Sequence, residues 1–137
     1  TTEIYTLSLH DALPIFDREY LLEKEYVFEE KTDANRNGLI IRNWILPVGK
    51  YNFEKSNLLI ILPNGYPEVR PDMWYFNPAL LLVPSNSLAK QTQANINFEG
   101  KIWQRWSRHY PANEWRCGID GIHTYLKKVQ TALENAT

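Results

Sequence analysis

The feature that most constrains the fold of this chain is a proline-spaced segment near its middle, Leu62–Pro71 (LPNGYPEVRP). It separates a short apolar run, Asn57–Leu62, from a second apolar stretch, Met73–Phe76. Each proline fixes φ and lacks an N–H, so the chain must leave a sheet, turn and re-enter it at a set register. The segment therefore predicts that the two stretches are neighbouring strands. The aromatic residue before Pro67 also predicts a cis Tyr66–Pro67 bond.

Hydrophobic periodicity predicts the remaining elements. Apolar residues at helical spacing indicate a helix over Phe16–Lys24. A strand begins at Tyr26 and a return strand covers Leu39–Leu46, because the pair Asn37-Gly38 between them tolerates positive φ and is typical of a hairpin turn. A C-terminal helix is indicated by five apolar residues on one face: Ile119, Ile122, Leu126, Val129 and Leu133.

The polar stretch Pro84–Asn97 has no periodicity and predicts a long exposed loop. Two helices and four meandering strands give an α+β fold class. A chain of 137 residues, 44% hydrophobic and 23% charged, has the size and balance of one globular domain. It contains no apolar run of membrane-spanning length, so no membrane partner is expected.

The first fifteen residues, TTEIYTLSLHDALPI, resemble the translation of a sequencing-library adapter. We interpret Thr1–Ile15 as an assembly artefact and residues 16–137 as the native domain. The net charge of −1 indicates no particular partner. Cys117 is the only cysteine, which excludes an internal disulfide and favours a reducing, cytoplasmic compartment. Cys117, His109 and His123 make a poor zinc set, and no metal or cofactor is expected.

The proline-spaced segment resembles the signature of the ubiquitin-conjugating (UBC) fold. That signature has a strand followed by Pro, two residues, Tyr-Pro and a further Pro four positions on. Here its residues are Pro63, Tyr66, Pro67 and Pro71.

The resemblance continues to the end of the chain. Gly100-Lys101-Ile102 matches the Gly-x-Ile that enters the active-site strand of the UBC fold, and Trp115 lies where that fold has a Trp before a helix. The segments Trp103–His109 (WQRWSRH) and Trp115–Gly121 (WRCGIDG) are similar to one bacterial branch, the prokaryotic UBC family labelled E.

This resemblance implies a UBC-like fold with an N-terminal helix, a four-stranded antiparallel meander, a long active-site-equivalent loop and a C-terminal helix. It implies a role in a bacterial ubiquitin-like conjugation system, in which the chain receives or positions the modifier for transfer. The alternative is a non-catalytic adaptor that binds the modifier or its activating enzyme. The implied partners are a ubiquitin-like protein, a ThiF-type activating enzyme and a JAB-type metallopeptidase of the same pathway.

The chain departs from the conjugating enzymes at their nucleophile. The residue after Gly-x-Ile is the thioester-forming cysteine in those enzymes, and here it is Trp103, which has no nucleophilic atom. Their His-Pro-Asn motif is also missing, and the nearest text is Asn77-Pro78-Ala79. Fold and function must therefore be argued separately.

Cys117 is a candidate replacement nucleophile. It precedes the predicted helix near Ile119 and follows Arg116, and both a helix N-terminus and a neighbouring cation favour the thiolate form. His109 is a candidate base or orienting group. The alternative is that Cys117 is a small residue filling the turn before the helix.

Trp and Arg residues in the same region form a candidate partner-binding surface, since both types are enriched at interface hot spots. The set is Trp103, Arg105, Trp106, Arg108, Trp115 and Arg116. The alternative is that Trp103 and Trp106 fill the core and that the arginines are solvated or pair with Glu99 and Glu114. We expect about half of the aromatic residues in this region to be core residues.

Basic residues interleaved with aromatic ones also suit single-stranded nucleic acid, whose bases stack on rings while cations follow the phosphates. The nearly neutral chain lacks the basic excess that phosphate binding usually requires. Nucleic acid is therefore the weakest of the partner hypotheses.

Overall fold

The described part of the chain, residues 13–137 of a computed structural model, contains two α-helices and a six-stranded antiparallel sheet. In chain order the elements are α1 (Ile15–Glu23), β1 (Phe28–Asp33), β2 (Arg36–Ile45), β3 (Lys55–Leu62), β4 (Trp74–Asn77), β5 (Asn95–Phe98), β6 (Lys101–Trp106), a 3₁₀ turn (Ala112–Glu114) and α2 (Ile122–Asn135). The strand order is β1-β2-β3-β4-β6-β5, so the first four strands form a meander. The predicted α+β, UBC-like fold class is confirmed, with two strands more than expected.

The strands that flank the proline-spaced segment are neighbours, as predicted. β3 and β4 pair antiparallel, with Leu58 opposite Phe76 and Leu59 opposite Tyr75. β3 is buried on both faces, which explains its nearly continuous apolar sequence. The predicted cis bond between Tyr66 and Pro67 is confirmed.

The sheet has an apolar cluster on each face, because successive residues of a strand point to opposite sides. The helix-facing side of the sheet packs against α1 and α2 through residues such as Leu58, Trp74 and Trp106. The opposite side carries a smaller cluster made of five buried residues: Ile40, Leu59, Tyr75, Phe98 and Trp103. Phe98 of β5 and Trp103 of β6 belong to this second cluster, so the two strands beyond the predicted meander supply part of its apolar side chains.

The hairpin turn predicted at Asn37-Gly38 is wrong. The turn lies at Ala34-Asn35, both of which have positive φ, and Gly38 pairs with Lys31 and Ile61 inside β2. Gly38 is explained by packing, because a Cβ atom built on it would lie 2.5 Å from the ring of Phe98.

The long exposed loop predicted over Pro84–Asn97 is wrong in part. Its end forms β5, an edge strand whose inward residues Ile96 and Phe98 alternate with exposed Asn95 and Asn97. The asparagines made this short strand appear patternless in the sequence. Within the remaining loop, Ala89 and Thr92 are buried and are joined by a hydrogen bond from the Thr92 hydroxyl to the Ala89 carbonyl.

The C-terminal helix is confirmed, but it begins later than predicted. Leu126, Val129 and Leu133 are buried on its inner face, as expected. Ile119, predicted on the same face, lies in the turn before α2 and is 58% exposed. Neither α1 nor α2 is long and apolar enough to cross a membrane.

The adapter-like segment falls mostly outside the described residues. Thr1–Ala12 lie beyond them, and the interpretation of residues 1–15 as an artefact stays a prediction. Of its last three residues, Leu13 is buried in the main core and Ile15 is the first residue of α1.

A buried carboxylate connects three parts of the fold. Asp17 of α1 accepts a hydrogen bond from the hydroxyl of Tyr66 and, through Oδ1, one from the backbone N–H of Ile122 at 3.2 Å. Gly121 permits this approach, since a Cβ atom there would lie 2.6 Å from the same Oδ1 atom. Burial and the Asp17 carboxylate raise the pKa of Tyr66, so its hydroxyl stays protonated and donates. Asp17 therefore caps α2 from another helix.

We expect Asp17→Ala to lower the free energy of unfolding by about 2–4 kcal/mol, because it leaves two buried donors unpaired. Urea titration measures the loss. The control is Glu19→Ala on the exposed side of α1, with an expected change within about 0.5 kcal/mol. Equal losses of stability in the two variants would contradict a specific role for the Asp17 carboxylate.

We expect Gly38→Ala to destabilise the fold by about 1–3 kcal/mol, because the added methyl group overlaps the ring of Phe98. The same substitution made in a Phe98→Leu background should cost less, and a double-mutant cycle by urea titration measures the difference. Equal costs in both backgrounds would contradict the steric explanation.

Candidate functional site

The position of the expected nucleophile lies inside the protein. Gly100, with a φ of +73°, turns the chain into β6, and Trp103 follows two residues into that strand. The Trp103 side chain belongs to the apolar cluster on the side of the sheet away from the helices, and the residue is 1% exposed. Its indole N–H donates to the carbonyl of Phe98 at 3.1 Å. This position therefore offers neither a nucleophile nor an accessible ring.

Two further indoles of the predicted partner-binding set are also interior. Trp106 is fully buried on the helix-facing side and donates its N–H to Gln104 Oε1 at 3.0 Å. Trp115 is buried and donates its N–H to the carbonyl of Pro67 at 2.7 Å. The core takes Trp103, Trp106 and Trp115, more than the expected half, because a domain this small must bury its largest side chains. Direct contact of these rings with a partner is not proposed.

The Tyr-Pro segment, which is the proline-spaced stretch Leu62–Pro71, holds the residues before α2 in place. Arg70 donates through Nε to the carbonyl of Tyr110, and Trp115 bonds Pro67 as described. The Cys117 thiol lies 3.4 Å from the carbonyl of Glu68 and donates to it. The signature prolines therefore position the turn that carries Cys117, in addition to joining two strands.

Cys117 is exposed, but the two features expected to activate it are changed. α2 begins at Ile122, five residues beyond the thiol, so Cys117 is not at its N-terminus. The guanidinium of Arg116 binds Asp120, with Nη2 3.1 Å from Oδ1, which offsets its positive charge. The thiol therefore lies in a hydrogen-bonded turn, where the backbone N–H groups of Ile119 and Asp120 donate to the carbonyl of Arg116.

His109 is hydrogen-bonded to Asp72 rather than to Cys117. Its Nδ1 atom lies 2.9 Å from Oδ1 of Asp72, and its side chain is 66% exposed. Among the described residues, no hydrogen bond joins the imidazole to the thiol. Within residues 13–137, no group of three or more His, Cys, Asp and Glu side chains is placed to hold a metal ion. The catalytic assignment of Cys117 and His109 stays a prediction.

The arginines of the predicted set are placed differently from one another. Arg105 lies opposite Tyr75 on the outer face of the sheet. Burial raises the pKa of the Tyr75 phenol, and the charge of Arg105 offsets part of this rise. Arg108 lies over the ring of Trp106, 5.0 Å from its centroid, and donates Nη1 to the carbonyl of Lys90. Partial burial lowers the pKa of Arg108 below its ordinary value. Arg116 is largely exposed despite its bond to Asp120.

Arg108 and His109 line a groove of about 650 Å³ between the loop 84–94, the end of β6 and the C-terminal half of α2. We call it the basic groove, because Lys90, Lys127 and Lys128 line it as well. Sequence reasoning missed these three lysines. Helical periodicity places Lys127 and Lys128 on the polar side of the last helix but does not indicate a binding role. Nothing in the sequence places Lys90 beside them.

Comparisons with known proteins match the chain to a family model. The family described as prokaryotic E2 family E matches residues 13–136 of the chain. No curated protein and no solved structure matches it.

Asp120 gives the turn a pH-dependent stability. Its carboxylate, 1% exposed, accepts from the side chain and the backbone N–H of Arg116, and these hydrogen bonds lower the pKa of Asp120. A carboxyl whose pKa is depressed by folding stabilises the protein above its unfolded-state pKa of about 4, and this contribution is lost as the pH falls through the folded-state pKa.

We therefore expect Asp120→Asn to lower the Tm at neutral pH, with the difference from wild type shrinking below about pH 4. Thermal unfolding followed by circular dichroism across this range measures it. Glu114→Gln, a neighbouring exposed position, should change the Tm little at any pH. A difference that stays constant down to about pH 2 would contradict the assignment.

Proposed function

Because the chain belongs to prokaryotic E2 family E, we propose that it acts in a ubiquitin-like conjugation system as a component that positions the modifier without a thioester of its own. Membership of the family supports a UBC-like role in such a system. The positioning role is the step that the site geometry supports best.

The observation that carries this proposal is the buried Trp103. A conjugating enzyme needs a thiol at the surface, where the thioester of an activating enzyme can reach it. In this chain Trp103 takes the sequence position of that thiol, and it is only 1% exposed. Its indole N–H, the only hydrogen-bonding group of the side chain, donates to the carbonyl of Phe98. Replacing this indole with a thiol would also leave a cavity in the cluster that covers the outer face of the sheet.

The exposed groups near the end of β6 and before α2 can still bind a partner. Arg108, His109 and Arg116 present cationic or polar groups at or near the surface, and each is held by a neighbour in the fold. Fixed side chains lose less conformational entropy on binding than free ones. These residues would contact the ubiquitin-like protein or its ThiF-type activating enzyme, and a JAB-type metallopeptidase would act in the same pathway. The absence of a disulfide partner for Cys117 fits a cytoplasmic location.

A second candidate function rests on the exposed Cys117. Its thiolate would attack the thioester carbonyl of the modifier held by the activating enzyme. A new C–S bond to Cys117 would form as the bond to the activating enzyme's sulfur breaks, and that sulfur would leave as a thiolate. The position of the turn beside the Tyr-Pro segment favours this candidate, while the pairing of His109 with Asp72 rather than with Cys117 does not.

One experiment separates the two functions. The domain is incubated with its activating enzyme, ATP and the modifier, and the products are run on non-reducing gels. We expect no thiol-sensitive adduct on this protein. An adduct that forms with wild type and is lost in Cys117→Ser would replace the positioning role by a thioester role.

Binding is measured in parallel by calorimetry. We expect wild type and Cys117→Ser to bind the modifier or the activating enzyme equally, and Arg108→Ala to bind roughly tenfold more weakly. The matched control is Lys55→Ala, which removes an exposed cation at the start of β3. If wild type binds neither protein, the proposed function is wrong.

A further inference from the structure

The charge of the basic groove contrasts with that of the whole chain. Four cationic side chains line it, from Lys90, Arg108, Lys127 and Lys128, and no aspartate or glutamate does so among the described residues. The chain as a whole has a net charge of −1. Within residues 13–137, none of these four cations has a carboxylate oxygen within 4.0 Å. Their charge is therefore available to a ligand.

The walls of the groove are already in place. Arg108 is held between the ring of Trp106 and the carbonyl of Lys90. Lys128 lies over the ring of Tyr110, with Nζ 5.1 Å from its centroid. The backbone N–H of Lys90 donates to the carbonyl of Thr137 at 3.0 Å, which ties the loop 84–94 to the residues that follow α2. A preformed groove binds with a smaller entropic cost than one that must be ordered.

Neutral hydrogen-bonding groups lie between the cations. Ser107 and Thr131 both line the groove, and neither hydroxyl has a hydrogen-bond partner among the described residues. Ala132 also lines the groove. Carboxylates accept hydrogen bonds from hydroxyl and ammonium groups alike, and charge-assisted bonds of this kind are the stronger ones.

The aromatic residues beside the groove argue against a nucleic acid as its occupant. Base stacking needs an open ring face. Trp106 is fully buried, with Arg108 over its ring. Tyr110 has Lys128 over its ring and is stacked with Tyr125 at 6.3 Å. Neither Trp106 nor Tyr110 thus offers an open ring face beside the groove, and the cations and hydroxyls that line it suit carboxylates.

We infer that the basic groove binds an acidic peptide segment, a short run rich in Asp and Glu, of a protein partner. This deepens the proposed function and rests on it, since the modifier or its activating enzyme would carry the segment. The cations would pair with the side-chain carboxylates of the segment, while Ser107 and Thr131 would donate to its oxygens. Because the cations are partly exposed, binding should weaken as salt is raised.

The first test uses a fluorescein-labelled octaglutamate peptide and fluorescence anisotropy with the full chain. We expect binding that is weakened roughly tenfold or more by Lys90→Glu combined with Lys127→Glu. The matched control is Lys55→Glu combined with Lys101→Glu, which changes the net charge equally at exposed lysines outside the groove. The control should change the affinity less than about twofold. Circular dichroism checks that all variants are folded.

Three results would overturn the inference. The first is that octaglutamate does not bind to wild type. The second is that the groove and control variants lose equal amounts of octaglutamate affinity. The third is that a thymidine oligonucleotide of similar charge binds more tightly than octaglutamate. The last result would make the groove a nucleic-acid site.

The second test keeps the inference separate from the proposed function. The same two double variants are titrated with the modifier and with the activating enzyme. If a partner binds wild type and the groove variant equally well, the proposed function is supported, but the groove is not the docking site. If neither partner binds wild type, the proposed function fails, and the octaglutamate titration alone decides whether the groove takes acidic segments.

Discussion

The carboxylate of Asp17 lies where α1, the Tyr-Pro segment and the beginning of α2 meet. It accepts from the Tyr66 hydroxyl and the Ile122 N–H in a site with little access to water, where an unpaired polar group would be costly. A helix N-terminus and a phenol are both suitable donors to a carboxylate, so one charged group serves two elements. The direction in which α2 leaves the turn at Cys117 depends on this contact, and α2 in turn forms one wall of the basic groove.

The Tyr-Pro segment has a second structural role that follows from its lack of regular hydrogen bonding. Its carbonyl groups are not used in a strand ladder, so those of Pro67 and Glu68 are free to accept from Trp115 and Cys117. The stretch before α2 is thereby fastened to the middle of the chain rather than left as a mobile connection. Any partner that contacts Arg116 or Cys117 would meet a surface whose backbone is fixed.

The five tryptophans all serve as packing residues of the fold. All of them are buried, and Trp103 occupies the place of a thiol as a packing residue of the outer face of the sheet. The large contact area of an indole stabilises this small domain, whereas a reactive cysteine at the same place would have to remain accessible. The surface keeps the cations and hydroxyls of the basic groove and the exposed thiol of Cys117.

The sequence by itself determined the elements whose signal is local. The spacing of Pro63, Pro67 and Pro71 predicted two neighbouring strands, and helical periodicity predicted α1 and α2, because backbone restrictions and side-chain burial act over a few residues. Only the tertiary structure decided contacts between distant positions. Gly38 looked like a turn residue until Phe98, sixty positions away, lay against it, and Lys90 joined Lys127 and Lys128 through folding alone. Such pairings depend on how the sheet and helices pack, and one sequence carries no record of them.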